Sequence, residues 1–148
     1  MKKTISFNSK FGWISIFEEK NKITKVKFLK TKNLHKSKIL EDFKINLNNF
    51  FLGKTKTLKA PYKTKGNIMQ KKIWAEIKKI KCGNTKSYGE IAKKFGISPR
   101  YVGRICGQNN LILLIPCHRV VRTDGKLGGF SAKGGILLKQ KLLNFEKL

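Results

Sequence analysis

The sequence of 148 residues predicts an α+β chain in two units, an α+β unit over residues 1–60 and a helix-turn-helix unit over residues 61–148. Three observations carry this reading. Residues 4–30 hold short apolar runs at strand period, followed by one amphipathic helical stretch. The basic segment KTKTLKAPYKTKGN has a proline and no apolar period, so residues of about 53–66 form a connection. Beyond it, capping residues and glycines punctuate a series of short helices. With 40% of the chain apolar, a core is within reach.

Ile5 and Phe7 alternate with polar residues, as in a strand with one face buried. Over residues 13–17 only Ser15 is polar, which predicts a strand covered on both faces. Residues 18–22 make a polar turn, and Ile23, Val26 and Phe28 resume extended structure. Residues 37–52 suit a helix, with Leu40, Phe43, Leu47, Phe50 and Phe51 on one side. No internal repeat is present.

In the second half Asn67 caps a helix whose face is Met69, Ile73, Trp74, Ile77 and Ile80, and Gly83 and Asn84 break it. Ser87 caps the next, with Glu90 three residues on completing a capping box and Gly96 ending it. Ser98 and Pro99 then stand as N-cap and first residue of a third helix. Helix, glycine-bearing turn, helix is a helix-turn-helix pattern. Val102, Ile105 and Cys106 form its inward face. The outward stripe is Arg100, Gly103, Arg104 and Gly107. A glycine costs a helix about 1 kcal/mol relative to alanine, so two of them among arginines suggest a surface that another backbone approaches closely. A C-cap at Gly107 and a helix contact at Gly103 are the structural alternatives. All four arginines lie between positions 100 and 122, against thirty lysines spread throughout, which points to a use for the planar guanidinium.

Against 34 Lys and Arg stand eight Asp and Glu, a net charge of +26. So one-sided a charge attracts phosphate and argues against a neutral small-metabolite enzyme. A solvated lysine coat is the alternative, and composition leaves both open. No apolar run reaches the roughly 18 residues of a membrane span, and the interspersed polar residues of MKKTISFNSKFGWISIF do not make a signal peptide. Cys82, Cys106 and Cys117 are odd in number and lack CxxC spacing, so neither a disulfide framework nor a metal site is expected. The expectation is a reduced, cytoplasmic protein without membrane contact.

The run LILLIPCHRVV reads as an apolar strand ending at Pro116 and presenting Cys117, His118 and Arg119. Cysteine beside histidine suggests a nucleophile and its base. Neighbours in an extended chain point to opposite faces, so either Pro116 introduces a tight turn or a water relays the proton. The loop RTDGKLGGFSAKGG, with five glycines, suits close backbone approach. The closing helix ILLKQKLLNFE carries Glu146, either a surface residue or a carboxylate that orients the histidine.

IPCHRVV, then DGKLGGFS and a terminal LL-x-x-E, resembles the active-site segment of the O6-alkylguanine-DNA alkyltransferases, the methylated-DNA–protein-cysteine methyltransferases. The similarity extends upstream through IWAEIKKI, SYGEIA, the SPRYVGR helix and Asn109, covering about residues 68–146. It implies a ribonuclease-H-like N-terminal unit, a winged-helix-like helix-turn-helix, and a cofactor-free monomer. The implied partner is double-stranded DNA carrying O6-alkylguanine, held through its minor groove. The alkyl group would pass once, irreversibly, to Cys117. His118 would be the base through a bridging water, Glu146 would orient it, and Asn109 would be the hinge behind the recognition helix. Tyr88 would contact the flipped guanine, while the Val120 carbonyl and the Ser131 amide would read it. Arg100 would enter the duplex as a finger. Ser98, Tyr101, Gly103, Arg104 and Arg119 complete the implied DNA contacts, and Cys106 and Phe130 the pocket wall. The small residues on the helix fit a groove ~6 Å wide. Three departures stand out: Phe130 replaces a tyrosine, Tyr101 a small residue, and SAKGG makes the loop two residues longer. Alkyltransferase-like proteins, which bind lesions but lack the cysteine, are one rival. A sequence-specific regulator is another, although the Gly-Arg stripe lacks base-reading Asn or Gln. A hydrolytic cysteine enzyme would need its thiol regenerated by water.

Overall fold

The computed structural model describes residues 1–130, 132 and 134–147. They divide into two compact units, Met1–Thr64 with Asn110–Leu114, and Lys65–Asn109 with Ile115–Leu148.

In the first unit β1 (Lys2–Ser9), β2 (Gly12–Glu19) and β3 (Lys22–Lys27) form an antiparallel meander in chain order. The register places Ile5 opposite Ile16, Phe7 opposite Ile14, and Ile16 opposite Val26, so one face carries a buried apolar cluster. Helix α1 (Lys38–Phe51) packs against all three strands, burying Leu40, Phe43, Leu47, Phe50 and Phe51 as its periodicity predicts. The Ser37 hydroxyl caps it, accepting from Leu40 N at 3.1 Å, and also bonds the buried carboxylate of Glu18. The turn is tighter than predicted. Strand β2 runs through Glu19, and only Lys20 and Asn21 turn, both at positive φ, as a two-residue hairpin requires. Nor is β2 covered evenly on its second face. Ser15 is fully buried, bonding Ser6, Thr31 and the Leu29 carbonyl, but Trp13 on the same side stays exposed. A short chain segment covers that face where a layer was expected.

Residues 111–115 are buried, but they are not the strand that their apolar run suggests. Only an isolated parallel bridge joins Leu111 to Val26, and the chain then turns with Leu113 at φ 73°. Hydrophobicity ensured burial. A ladder needs a free strand edge along its whole length, and here only isolated bridge residues form, interrupted by the turn at residues 113 and 114.

In the second unit α2 (Ile68–Lys78) starts at Asn67, whose side chain makes a reciprocal capping box with Gln70, and buries Ile73, Trp74 and Ile77. It ends well before Gly83, and Ile80 is buried beyond its last turn. Strand β4 (Lys86–Ser87) leads into α3 (Tyr88–Phe95), capped by Ser87 and Glu90 and closed by Gly96 at φ 65°. Helix α4 (Pro99–Gly107) follows a Ser98 cap and turns Val102, Ile105 and Cys106 inward. Gly107 is its last helical residue and Gln108 its C-cap, so the capping alternative for Gly107 does not hold. Residues 117–119 form one 3-10 turn, then β5 (Val120–Val121) pairs in parallel with β4. Helix α5 (Gly135–Glu146) closes the chain. No helix among the described residues is long and apolar enough to cross a membrane.

Candidate active site

The site begins with how the chain turns at Pro116. The Cys117 amide bonds back to the Ile115 carbonyl and the Arg119 amide to the Pro116 carbonyl, so Cys117, His118 and Arg119 lie on one tight turn. Pro116 therefore does introduce a tight turn, which leaves a relaying water open. Pairing of β4 with β5 ties the end of this turn to the strand that carries the Ser87 cap of α3. Asn109, buried just past α4, clamps the start of the turn. Its Nδ2 donates to the Ile115 carbonyl at 2.9 Å and to Cys117 Sγ at 3.2 Å.

His118 is fully buried, with Nε2 at 2.7 Å from Glu146 Oε2. Burial pulls its pKa down, opposed by the Glu146 carboxylate. Burial alone would raise the Glu146 carboxyl, but hydrogen bonds from His118 and Arg119 outweigh it and bring it down to about 2. An ionised Glu146 at Nε2 fixes the proton there and leaves the Nδ1 lone pair as the basic atom. Nδ1 has no hydrogen-bond partner among the described residues.

Arg119 does not do what the sequence suggested. Its Nε and Nη2 donate to the two Glu146 oxygens at 2.8 and 2.9 Å, and Nη1 donates to the Ile80 carbonyl at 2.7 Å. Buried and bidentate, it holds Glu146 and cannot reach DNA. The other implied DNA residues keep accessible positions on α4. Arg100 and Arg104 are exposed and Gly103 and Tyr101 half-exposed, while exposed Ser98 caps the helix by accepting from Tyr101 N.

Cys117 is buried, and burial raises its pKa, opposed by the Asn109 hydrogen bond and the Lys139 charge. The nearby positive charge does not outweigh burial, so the group rests as a thiol. It lines a cleft of about 790 Å³ together with Tyr88, Arg100, Gly103, Cys106 and Phe130. The cysteine and the Gly-Arg face of α4 therefore share one cavity. Phe130 stands edge-on to His118, with ring centroids 6.3 Å apart. Val120 is buried within β5, and Ser131 lies outside the described residues. Burial holds Cys106 up at about 12, so it remains a thiol in the wall.

Lys139 is the residue that sequence reasoning missed. It is fully buried on α5, and its Nζ donates to the Tyr88 hydroxyl at 3.3 Å and the Gly129 carbonyl at 3.1 Å. Burial lowers its pKa to about 8, opposed by the nearby Cys106 and Cys117. The signal was present in the chain. Lys139, Leu142, Leu143 and Glu146 follow helical spacing, so a lysine sits on the inward stripe. Burial likewise raises the Tyr88 pKa, so the phenol stays protonated. Gly128, at φ 74°, accommodates that ring: a Cβ there would meet it at 3.0 Å.

The chain is similar to known proteins in sequence and in fold. Residues 68–148 match the family described as 6-O-methylguanine DNA methyltransferase, DNA binding domain. A methylated-DNA–protein-cysteine methyltransferase of Metallosphaera sedula is 37% identical over 145 residues, which is 95% of this chain and 90% of that protein. One of Saccharomyces cerevisiae is 46% identical over 84 residues, 55% of this chain and 44% of that protein. The structure of Mycobacterium tuberculosis OGT in complex with DNA superposes with TM-score 0.86 at 30% identity, covering 97% of this chain and 92% of that one. Fold and site together define a DNA repair methyltransferase, an enzyme that acts on DNA. The chain belongs to the methylated-DNA–protein-cysteine methyltransferase family.

Proposed function

We propose that this protein repairs O6-alkylguanine in duplex DNA by moving the alkyl group to its own Cys117. The observation that carries the reading is the pairing of His118 with Glu146, which leaves the basic Nδ1 over a turn that also bears a cysteine opening on the cleft of α4. Cys117 Sγ attacks the alkyl carbon as the carbon–O6 bond breaks. The thiol proton passes through a water to His118 Nδ1, and the departing guanine takes up a proton in exchange. Because Cys117 rests as a thiol, deprotonation accompanies attack. Lys139 donates to the Tyr88 oxygen, which leaves the Tyr88 O–H proton to donate to the leaving base. The product thioether is not reduced in the cell, so each chain acts once.

The target carbon is shielded in stacked DNA, so the nucleotide is flipped out at a cost of a few kcal/mol. Arg100, exposed at the first turn of α4, fills the vacated stack, while Gly103 and Gly107 let the helix enter the minor groove beside Arg104. The Val120 carbonyl and the Ser131 amide read the base. We take the first unit as a reduced ribonuclease-H-like domain. The second is a winged-helix-like DNA-binding and alkyl-accepting domain, and the protein works as a monomer.

Intact-mass measurement after incubation with an O6-methylguanine duplex tests this. The expected gain is one methyl group, about 14 Da, on Cys117 and at most one per chain. Repeated turnover, or a methyl on Cys82 or Cys106, overturns it. Cys117→Ala is expected to abolish transfer and retain lesion binding.

A further inference from the structure

Basic residues are everywhere in this chain, so the informative ones are those whose positions are fixed and whose charges are uncompensated. The connection after α1 meets both conditions. Its backbone is pinned along its length. Lys54 N bonds the Asn49 carbonyl at the end of α1, and Asn46 clamps the middle, with Nδ2 donating to the Thr57 carbonyl at 3.0 Å and Oδ1 accepting from Lys59 N at 2.8 Å. Leu58 is buried. Further on, Ile23 of β3 exchanges backbone hydrogen bonds with Pro61 and Lys63, at 2.7 and 3.0 Å. The segment read from composition as a loose connection is a fixed strap.

Lys54, Lys56, Lys59, Lys63 and Lys65 all project from this strap into solvent, and it carries no acidic residue. Among the described residues none of the five is in an ion pair. Four lysines elsewhere are compensated: Lys79, Lys86 and Lys94 converge on the buried Glu76 carboxylate, and Lys38 pairs with Asp42. Five like charges on a fixed backbone repel one another, a cost that binding to a polyanion relieves.

We propose that the strap of residues 54–65 is a second DNA-contacting surface, which binds duplex phosphates without reading sequence. This rests on the reading above only in that DNA is the polyanion. None of the five lysines is among the residues assigned to alkyl transfer. Each phosphate neutralised releases counterions and steepens the salt dependence by about 0.9.

The test compares two fivefold variants of the full chain that lose the same charge. One changes Lys54, Lys56, Lys59, Lys63 and Lys65 to Gln. The other changes Lys2, Lys22, Lys25, Lys32 and Lys36, which are exposed elsewhere on the first unit. Binding of an undamaged duplex is titrated across a salt series, and transfer from free O6-benzylguanine is measured alongside. The expected result is a fall of about three to four in the log–log salt slope and at least a tenfold loss of affinity for the strap variant. The control is expected to lose less than half as much, with free-base transfer unchanged in both. Equal losses in the two variants, or none in the strap variant, overturn the strap and leave the transferase reading intact. Failure of the unaltered chain to accept an alkyl group from the free base overturns that reading and leaves the salt comparison valid.

Discussion

His118 and Glu146 meet at 2.7 Å through Nε2 and Oε2, both side chains buried, with Arg119 bidentate on the same carboxylate. One carboxylate thereby sets the histidine tautomer and neutralises a buried guanidinium. The two tasks can be separated by experiment.

Glu146→Gln is expected to slow transfer from both duplex DNA and free O6-benzylguanine by at least tenfold, because the amide no longer stabilises the imidazolium formed in the reaction. It also changes acid stability. The Glu146 pKa is depressed in the folded state, to about 2, so its contribution is complete above the unfolded value and is lost as pH falls towards 2. That contribution is on the order of 2–3 kcal/mol. Thermal melting between pH 5 and pH 2 is expected to fall more shallowly in the variant; an unchanged acid limb would contradict the assignment.

Lys139→Met is expected to make the protein more stable and less active. The folded pKa of Lys139 lies at about 8, below that of a free lysine, so the charged form is disfavoured by folding. Stability therefore carries the full penalty below pH 8 and rises between pH 8 and about 10.4, where the unfolded state binds more protons. The variant is expected to gain about 1–2 kcal/mol at pH 7, roughly a third to a half of the free energy of that shift once solvent screening is allowed for, and to lose that rise. Without the charge that favours the Cys117 thiolate, alkyl transfer slows. Denaturant melts at pH 7 and pH 9.5 with parallel rate measurements check both.

Arg100→Ala is expected to slow repair of duplex DNA far more than reaction with free O6-benzylguanine. If the side chain stabilises the extruded state as other stacking contacts do, its loss costs about 1–3 kcal/mol. The free base is never flipped and draws only on the pocket. Equal impairment of both substrates would make Arg100 a pocket or structural residue.

Arg104→Ala and Arg119→Ala are expected to fail differently. Arg104 is exposed on α4, so its loss lowers the salt slope of DNA binding by about one and leaves melting unchanged. Arg119 is buried on Glu146, and its loss strands that carboxylate at a cost of about 3–5 kcal/mol. Salt-slope and melting measurements on both variants distinguish them.

Local chemistry was enough to foresee much of this molecule. Asn67, Ser87, Ser98 and Pro99 start their helices where capping predicts, and the apolar faces of α1 and α4 are the buried ones, because hydrogen bonds and periodicity act within a few residues. The PCHRV string and the terminal glutamate, visible in their order along the chain, carried the resemblance to the family to which the chain belongs. What depended on distant partners was not. Whether residues 111–115 became a strand rested on the edge available to them. Whether Arg119 faced DNA or Glu146, and whether Lys139 pointed to water or to Tyr88, rested on how α5 packs against the 117–119 turn. Charge alone cannot tell a surface cation from a buried one, since burial is decided by contacts between residues far apart in the chain. Tertiary packing decided those three, and with them the protonation state of the thiol.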